Sequence, residues 1–386
     1  MIEGERRRRV GTAAVVAGLA AGLAATPARA EDPVLSEVVG FAGTIAFLGM
    51  DVPGLIIAAW HDGETAFAGL GETARGSGVA PDADTLMRVG SVSKAFCGTT
   101  LASMVADGEI GLTDALKDRL GEGYVVPERD GRRLRIVDLV TQASGLPREI
   151  PIGPAAEDDP FDGNTPEAQI AGLAGDPYLF APGTGAFYSN YGYDLLGAAL
   201  AHAGGKPYAE LLAERVLGPS GMADTVFTPS AEQAGRMMTG HFFDGTPMPM
   251  VPTPETTECA GGLYSTANDM LRWMAWQLDP AAGDGETRLL SHAAWLYRDG
   301  LDPVVGLDDG GAPMDAMGLG WVIMLPEGNR PLVLHKSGGL QGQFTFLALV
   351  PAHGLGIFAS INQFSVGGFG ALVQTVNTLI TELAPR

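Results

Sequence analysis

The chain has 386 residues, enough for one large domain or two lobes around a sizeable core. Hydrophobic residues make up 46% and charged residues 18%, which excludes a disordered chain. The net charge of −21 argues against a nucleic acid as partner, because phosphate binding needs a basic surface.

Arg6 to Arg9 form a basic run, and Val10 to Ala25 is uncharged and rich in Ala, Gly, Leu and Val. Ala28-Arg29-Ala30 then sets small residues where a signal peptidase needs them. This three-part pattern predicts an export signal over residues 1–30, cut after Ala30, and a periplasmic or secreted protein. The arginines and the mild apolar stretch also suit a twin-arginine signal. Loss of the segment removes five Arg and two Glu and leaves a mature charge of −24. The stretch is short and weakly apolar for the alternative, an uncleaved anchor, and no later run could span a bilayer.

Residues 52–61 (VPGLIIAAWH) read as a strand, Asp62-Gly63 as a hairpin turn, and Thr65 to Leu70 as the returning strand. A Gly-rich loop runs to about Asp84. Arg88 to Phe96 (RVGSVSKAF) follows and opens a helix that ends at Asp107-Gly108. Ser91 and Lys94 stand three apart, so a helix puts both on one face. A serine hydroxyl is a weak nucleophile until a base takes its proton. An amine with its pKa lowered by burial or by a neighbouring cation can do so. The chain has 20 arginines and only four lysines: Lys94, Lys117, Lys206 and Lys336. Lysine then survives where arginine cannot serve, as when an amine must lose its proton. Cys97 lies off the Ser91–Lys94 face; it and Cys259 read equally as a pair or as two buried thiols.

From about residue 110 to 315 the pattern is helical. Ile136 to Ala143 is a short helix stopped by Gly145 and Pro147. Residues 147–177 are a loop with an acidic run, Glu157-Asp158-Asp159, read as a solvated loop. Tyr193 to Ala203, Pro207 to Leu217 and Thr266 to Leu278 are helices, the last capped by Ser265 or Thr266; Pro247 to Pro254 is an extended loop. In Phe187-Tyr188-Ser189-Asn190, an extended segment points Tyr188 and Asn190 the same way. A tyrosine such as Tyr188, if set beside two lysine ammoniums, can have a depressed pKa and act as a base, and Asn190 offers a donor and an acceptor to a substrate amide.

Strands return at Gly320 to Leu325, Pro331 to Leu334, Gln343 to Val350 and Gly354 to Ile361, and Phe369 to Leu383 closes the chain as a helix. His335-Lys336-Ser337-Gly338-Gly339 sits between strands and reads as Lys-Ser/Thr-Gly on an edge strand lining a cleft. Lys336 and Ser337 offer a cation and a hydroxyl to a substrate carboxylate, and Gly338 and Gly339 admit close backbone approach. No Cys/His cluster has metal-ligand spacing, and His61, His202, His241, His292 and His353 read as structural or surface residues.

The ordered triplet Ser-x-x-Lys, Tyr-x-Asn and Lys-Ser/Thr-Gly resembles the penicillin-recognising serine hydrolases. The Tyr-Ser-Asn form is similar to the class C β-lactamases and the low-molecular-mass class C penicillin-binding proteins. The class A form carries Ser-Asp-Asn instead. Segments such as TLMRVGSVSKAF, PGTGAFYSNYGYDLLG and HKSGGLQGQF extend the likeness along nearly the whole mature chain. It implies an α/β fold of the β-lactamase/DD-peptidase type. An antiparallel sheet from both chain ends is flanked by helices (about 40–95 and 316–386), with a mostly helical lobe inserted (about 96–315). The implied chemistry is an acyl-enzyme on Ser91, with Lys94 and Tyr188 moving the proton and Asn190, Lys336, Ser337, Gly338 and Gly339 binding substrate. The resemblance implies no metal or organic cofactor. Glu149 stands after Leu146-Pro147, where class C β-lactamases usually carry glutamine. SGLPRE (144–149) is similar instead to D-alanyl-D-alanine carboxypeptidase/endopeptidases. Gln343 departs from the usual Gly before Phe344. The expected partner is therefore a peptidoglycan peptide or a β-lactam. The rival activities are a class C-like β-lactamase, an esterase of the same fold and a β-lactam-binding sensor with little turnover.

Overall fold

The computed structural model describes Met1, residues 33–151, 153, 159–279 and 284–386. The export signal and cleavage site, and most of the acidic run at 157–159, lie outside the described residues.

Helix α1 (Pro33–Gly49) leads into a hairpin, β1 (Gly54–His61) and β2 (Glu64–Gly71). Asp62 and Gly63 both take positive φ, 48° and 96°, as the two-residue turn requires. The catalytic-motif helix is α2 (Ser93–Ala106), followed by α3 (Ile136–Val140), α4 (Pro166–Ala174), α5 (Asn190–Gly204), α6 (Tyr208–Leu212), α7 (Ala267–Leu278) and α8 (Gly285–His292). Two short strands, β3 (Leu296–Tyr297) and β4 (Ala316–Met317), precede β5 (Val322–Met324), β6 (Val333–Leu340), β7 (Gln343–Val350) and β8 (Leu355–Ile361). Helix α9 (Val366–Leu383) closes the chain.

The strands form one eight-stranded sheet in the order β2-β1-β8-β7-β6-β5-β4-β3. Every pairing in it is antiparallel, and both chain ends contribute. Strand β1 reads as an unbroken apolar run because both of its faces are covered. Leu55, Ile57 and Ala59 join the core under α1 and α9, while Ile56 and Ala58 join the core under α2, α5 and α7. In the second core Phe96 of α2 stacks on Trp273 of α7, ring centroids 3.7 Å apart.

The Lys-Ser-Gly-Gly segment lies on an edge strand, as expected, although the strand read as ending at Leu334 runs on: β6 passes through the segment and pairs with β7 from Leu334↔Leu349 to Leu340↔Gln343. On its other side β6 pairs with β5 only as far as His335, so Lys336 onward is an open edge toward the Ser91 turn. The helix expected from Tyr193 begins at Asn190, because Ser189 caps it and accepts from the Gly192 amide at 2.9 Å. The helix expected over 207–217 is regular only to Leu212 and continues as a wider π turn, Ala213–Leu217. Thr266 rather than Ser265 caps α7, accepting from the Asp269 amide at 3.1 Å.

Cys97 and Cys259 form a disulfide that closes a loop of 162 residues. No helix among the described residues is long and apolar enough to cross a membrane.

Candidate active site

Ser91 sits in the tight turn Gly90–Val92 that opens α2. Gly90 has φ +53°, and a β-carbon there would stand 2.7 Å from the Gly339 nitrogen. A β-carbon on Gly338 would meet the Val89 carbonyl at 2.1 Å and the Ser91 nitrogen at 3.0 Å. Glycine is required at both places because the free edge of β6 lies backbone-to-backbone against the Ser91 turn. Ser91 and Gly339 therefore bring their amides to one small region, the arrangement that can hold an oxyanion.

Lys94 is wholly buried one helical turn away. Its Nζ donates to Ser91 Oγ at 3.3 Å, to Asn190 Oδ1 at 2.7 Å and to the Ala260 carbonyl. Burial lowers its pKa, Tyr188 pulls it back, and Lys336 lowers it further. The disulfide adds to this geometry, since Cys259 adjoins the carbonyl that fixes Lys94.

Tyr188 is caged by cations. Lys94 Nζ, Lys336 Nζ and Arg148 Cζ lie 5.0, 5.3 and 4.8 Å from its ring centroid. Burial raises its pKa, but the Lys336 and Lys94 charges and hydrogen bonds with Ser91 and Lys94 outweigh this and bring it down to about 8. The Tyr188 amide donates to the Val305 carbonyl at 3.1 Å, and the next residue is anchored too. The Ser189 amide donates to Gln142 Oε1 at 2.7 Å, and Ser189 Oγ donates to the Pro147 carbonyl at 2.6 Å.

Asn190 is the first residue of α5, not part of an extended segment, yet it still converges with Tyr188 on Lys94. Its Nδ2 donates to Glu149 Oε1 at 2.7 Å, so Asn190 bridges Lys94 and Glu149. The Glu149 side chain is 62% exposed. Lys336 is nearly buried and donates to the Ser337 carbonyl at 2.8 Å. Gln343 is buried, and its Nε2 donates to the Met238 carbonyl at 2.7 Å.

Three charged residues near this group escaped the sequence reading. Arg148 covers the Tyr188 ring, and its carbonyl accepts from the Asn190 amide at 2.8 Å. Asp309, partly buried, hydrogen-bonds Ser337 and faces Lys336; burial raises its pKa while both partners lower it. Asp194, 2% exposed, stands one turn beyond Asn190 on α5. Asp194 was open to discovery from its spacing, since residues four apart share a helix face. Asp309 carries no such local signal.

Two cavities meet at Ser91 and share Arg148 and Gly339. One, about 340 Å³, is lined by Tyr188, Asp309 and Ser337, with a wall of Phe243, Phe344, Phe364 and Phe369. The other, about 210 Å³, is lined by Asn190, Glu149, Asp194, Asn164 and Phe161. A larger groove, about 600 Å³, runs between α1 and α9 and contains none of the residues gathered at Ser91. Among the described residues no group of His, Cys, Asp and Glu is placed to hold a metal ion.

A serine beside a buried amine and an acidified phenol, with two backbone amides at hand, can run acyl transfer. The model of the beta-lactamase family matches residues 45–377. The chain is 33% identical to the D-alanyl-D-alanine-carboxypeptidase/endopeptidase AmpH of Escherichia coli K12, over 92% of this chain and 91% of that protein. A beta-lactamase of Pseudomonas fluorescens is 25% identical, over 81% of this chain and 89% of that protein. Among solved structures, a beta-lactamase/D-alanine carboxypeptidase from Yersinia pestis complexed with citrate superposes with a TM-score of 0.82 at 32% identity. It covers 91% of this chain and 99% of that one. A class C beta-lactamase from Rhodobacter sphaeroides shares the fold, with a TM-score of 0.71 at 21% identity over 89% and 99%. The chain belongs to the beta-lactamase family of serine hydrolases.

Proposed function

We propose that this chain is an exported D-alanyl-D-alanine carboxypeptidase/endopeptidase acting on peptidoglycan peptides through an acyl-enzyme on Ser91. Ser91 Oγ attacks the carbonyl carbon of the penultimate residue, and its proton passes to the Lys94–Tyr188 pair. The carbonyl oxygen becomes an anion between the Ser91 and Gly339 amides. Each such donor is worth roughly 2.7–4 kcal/mol in the transition state. The C–N bond breaks as the pair returns the proton to the departing amine, leaving an ester on Ser91. Water then attacks the ester, gives its proton to the same pair and restores the serine. Lys336 and Ser337 hold the terminal carboxylate of the leaving residue, Gly338 gives it room, and Asn190 orients the acyl-side amide. The scheme calls on no metal and no organic cofactor.

The observation that carries the peptide reading over the drug reading is the Glu149–Asn190 hydrogen bond. The rim position beside Asn190 holds a carboxylate, which when ionised only accepts hydrogen bonds and repels an anionic drug at close range. A peptide offers N–H groups to it. One hydrogen bond to a charged group is worth roughly 1.5–3 kcal/mol, about tenfold or more in preference. The likeness to AmpH supports the same reading.

The test is kcat/KM for D-Ala release from a D-Ala-D-Ala peptide against that for hydrolysis of a chromogenic cephalosporin. The peptide is expected to win, and Glu149→Gln is expected to shift the ratio toward the drug while acylation continues. Efficient cephalosporin hydrolysis with no D-Ala release contradicts the reading and points to a β-lactamase.

A further inference from the structure

At the turn end of β1 lies an open cavity of about 500 Å³ that acyl transfer does not use. The β1–β2 turn, the segment after the π turn and the end of α7 meet there. Two tryptophans, Trp60 and Trp276, line it, and Asp62, Asp279 and Ser220 add polar groups. Its distance from Ser91 follows from the register of the sheet. Gly339, beside Ser91, pairs with Phe344, Phe344 with Ile361, and Ile361 with Leu55. Trp60 stands further along β1, about 17 Å from Leu55 at the usual rise per residue.

The lining is held in place by its own packing. The Asp62 amide donates to the Gly354 carbonyl at 3.1 Å. A β-carbon on Gly354, whose φ is +54°, would clash with Asp62 Oδ1, so glycine there lets the carboxylate lie against the backbone. Trp276 is nearly buried, and the Arg288 guanidinium of α8 lies 5.3 Å from its ring centroid. Trp60 is half-buried and packs against the core under α7, while Asp62 and Asp279 are exposed at the rim.

We propose that this cavity binds a neutral saccharide, a short run of sugar rings on a glycan chain. A pyranose ring has a C–H face that packs on an indole, and edge hydroxyls that both donate and accept. The cavity answers each of these. An indole N–H only donates, and the rim carboxylates only accept when ionised. Ser220 Oγ accepts too, because its own proton goes to the Val216 carbonyl at 2.6 Å. Among the described residues the cavity is lined by two carboxylates and by no Lys or Arg, which sets anionic ligands aside. A cation would use the carboxylates and the ring faces but leave the indole donors unanswered. The volume falls within the range of small-ligand sites, roughly 300–1,000 Å³.

The inference goes beyond the Ser91 reading, and its binding test does not depend on that reading. Where both hold, a glycan chain bearing peptides touches the protein twice, and the second contact raises the local concentration of peptide at Ser91.

The test is calorimetric titration of the protein with two soluble probes, the β-1,4-linked tetramers of N-acetylglucosamine and of glucose, with tetramethylammonium as the competing class. At least one tetramer is expected to bind. Trp60→Ala should weaken that binding about tenfold or more. Asp62→Asn, which keeps an Asn-Gly turn, should weaken it about fivefold. Both variants should react with penicillin as the wild type does. Trp60→Phe, which keeps the packing and loses the N–H, serves in place of Trp60→Ala if the melting curve shows that variant unfolded. Binding of neither tetramer overturns the site, as does binding that is unchanged in the folded Trp60 and Asp62 variants. Tighter binding of tetramethylammonium than of either tetramer overturns the ligand class. Saccharide binding that depends on Trp60, with no D-Ala release from peptides, keeps the site and removes the peptidase reading alone.

Discussion

At the scale of single residues, proton transfer depends on two side chains that the fold has made unusual. Lys94 is an ammonium without solvent, and Tyr188 is a phenol held among three cations. The Tyr188 pKa lies near 8, so its base form grows as pH rises. Acylation should therefore speed up with pH and level off above about 8. Tyr188→Phe should lose this rising limb and fall in rate about 10²–10⁴-fold. A flat profile between pH 6 and 9 in the wild type would show that Tyr188 does not carry the proton. Lys94→Arg should be nearly inactive, because a guanidinium keeps its proton and cannot fit three acceptors arranged around one nitrogen. Lys336→Arg should be milder, since its part is to supply charge. Equal losses in steady-state kinetics would show the two roles to be misassigned.

At the scale of elements, the sequence discloses what is local. The hairpin at Asp62-Gly63, the helix after Ser91 and the closing helix are written in neighbouring residues, and the structure bears them out within a few positions. Strand β1 was legible because its apolar run is continuous, and the two cores explain why it is. The run through Lys336 to Gly339 was legible as an edge strand, but the packing reason for its glycines was not. Its glycines answer to the Ser91 turn across the gap, a contact that no local pattern encodes. Helix α1 was missed because its apolar residues follow an export-like segment of similar composition, and its partners Ile57 and Leu70 lie on the hairpin. The Ser-x-x-Lys, Tyr-x-Asn and Lys-Ser-Gly residues were legible through their spacing, the scarcity of lysine and the resemblance that their order carries. Asp309 and Arg148 were not, because their effect on Ser337 and Tyr188 exists only after the sheet and loops close.

At the scale of the whole molecule, the sheet made from both chain ends braces one side of the cleft and the inserted helices brace the other. The Cys97–Cys259 bond ties α2 to the segment that presents the Ala260 carbonyl. By closing 162 residues it limits the unfolded chain, and its removal should cost roughly 2–5 kcal/mol. A Cys97→Ala, Cys259→Ala double variant should thus melt at lower temperature than the oxidised wild type; equal melting would argue that the bond adds nothing. All of this structure serves one claim, that Ser91 is the nucleophile. Its neighbour Ser93 is fully buried, and its hydroxyl donates to the Gly90 carbonyl at 2.7 Å, so it is not free to attack. The direct measurement is mass spectrometry of the protein after reaction with a penicillin. One covalent adduct is expected, mapped to Ser91 and absent from Ser91→Ala. An adduct on Ser93, or full activity in Ser91→Ala, would contradict it.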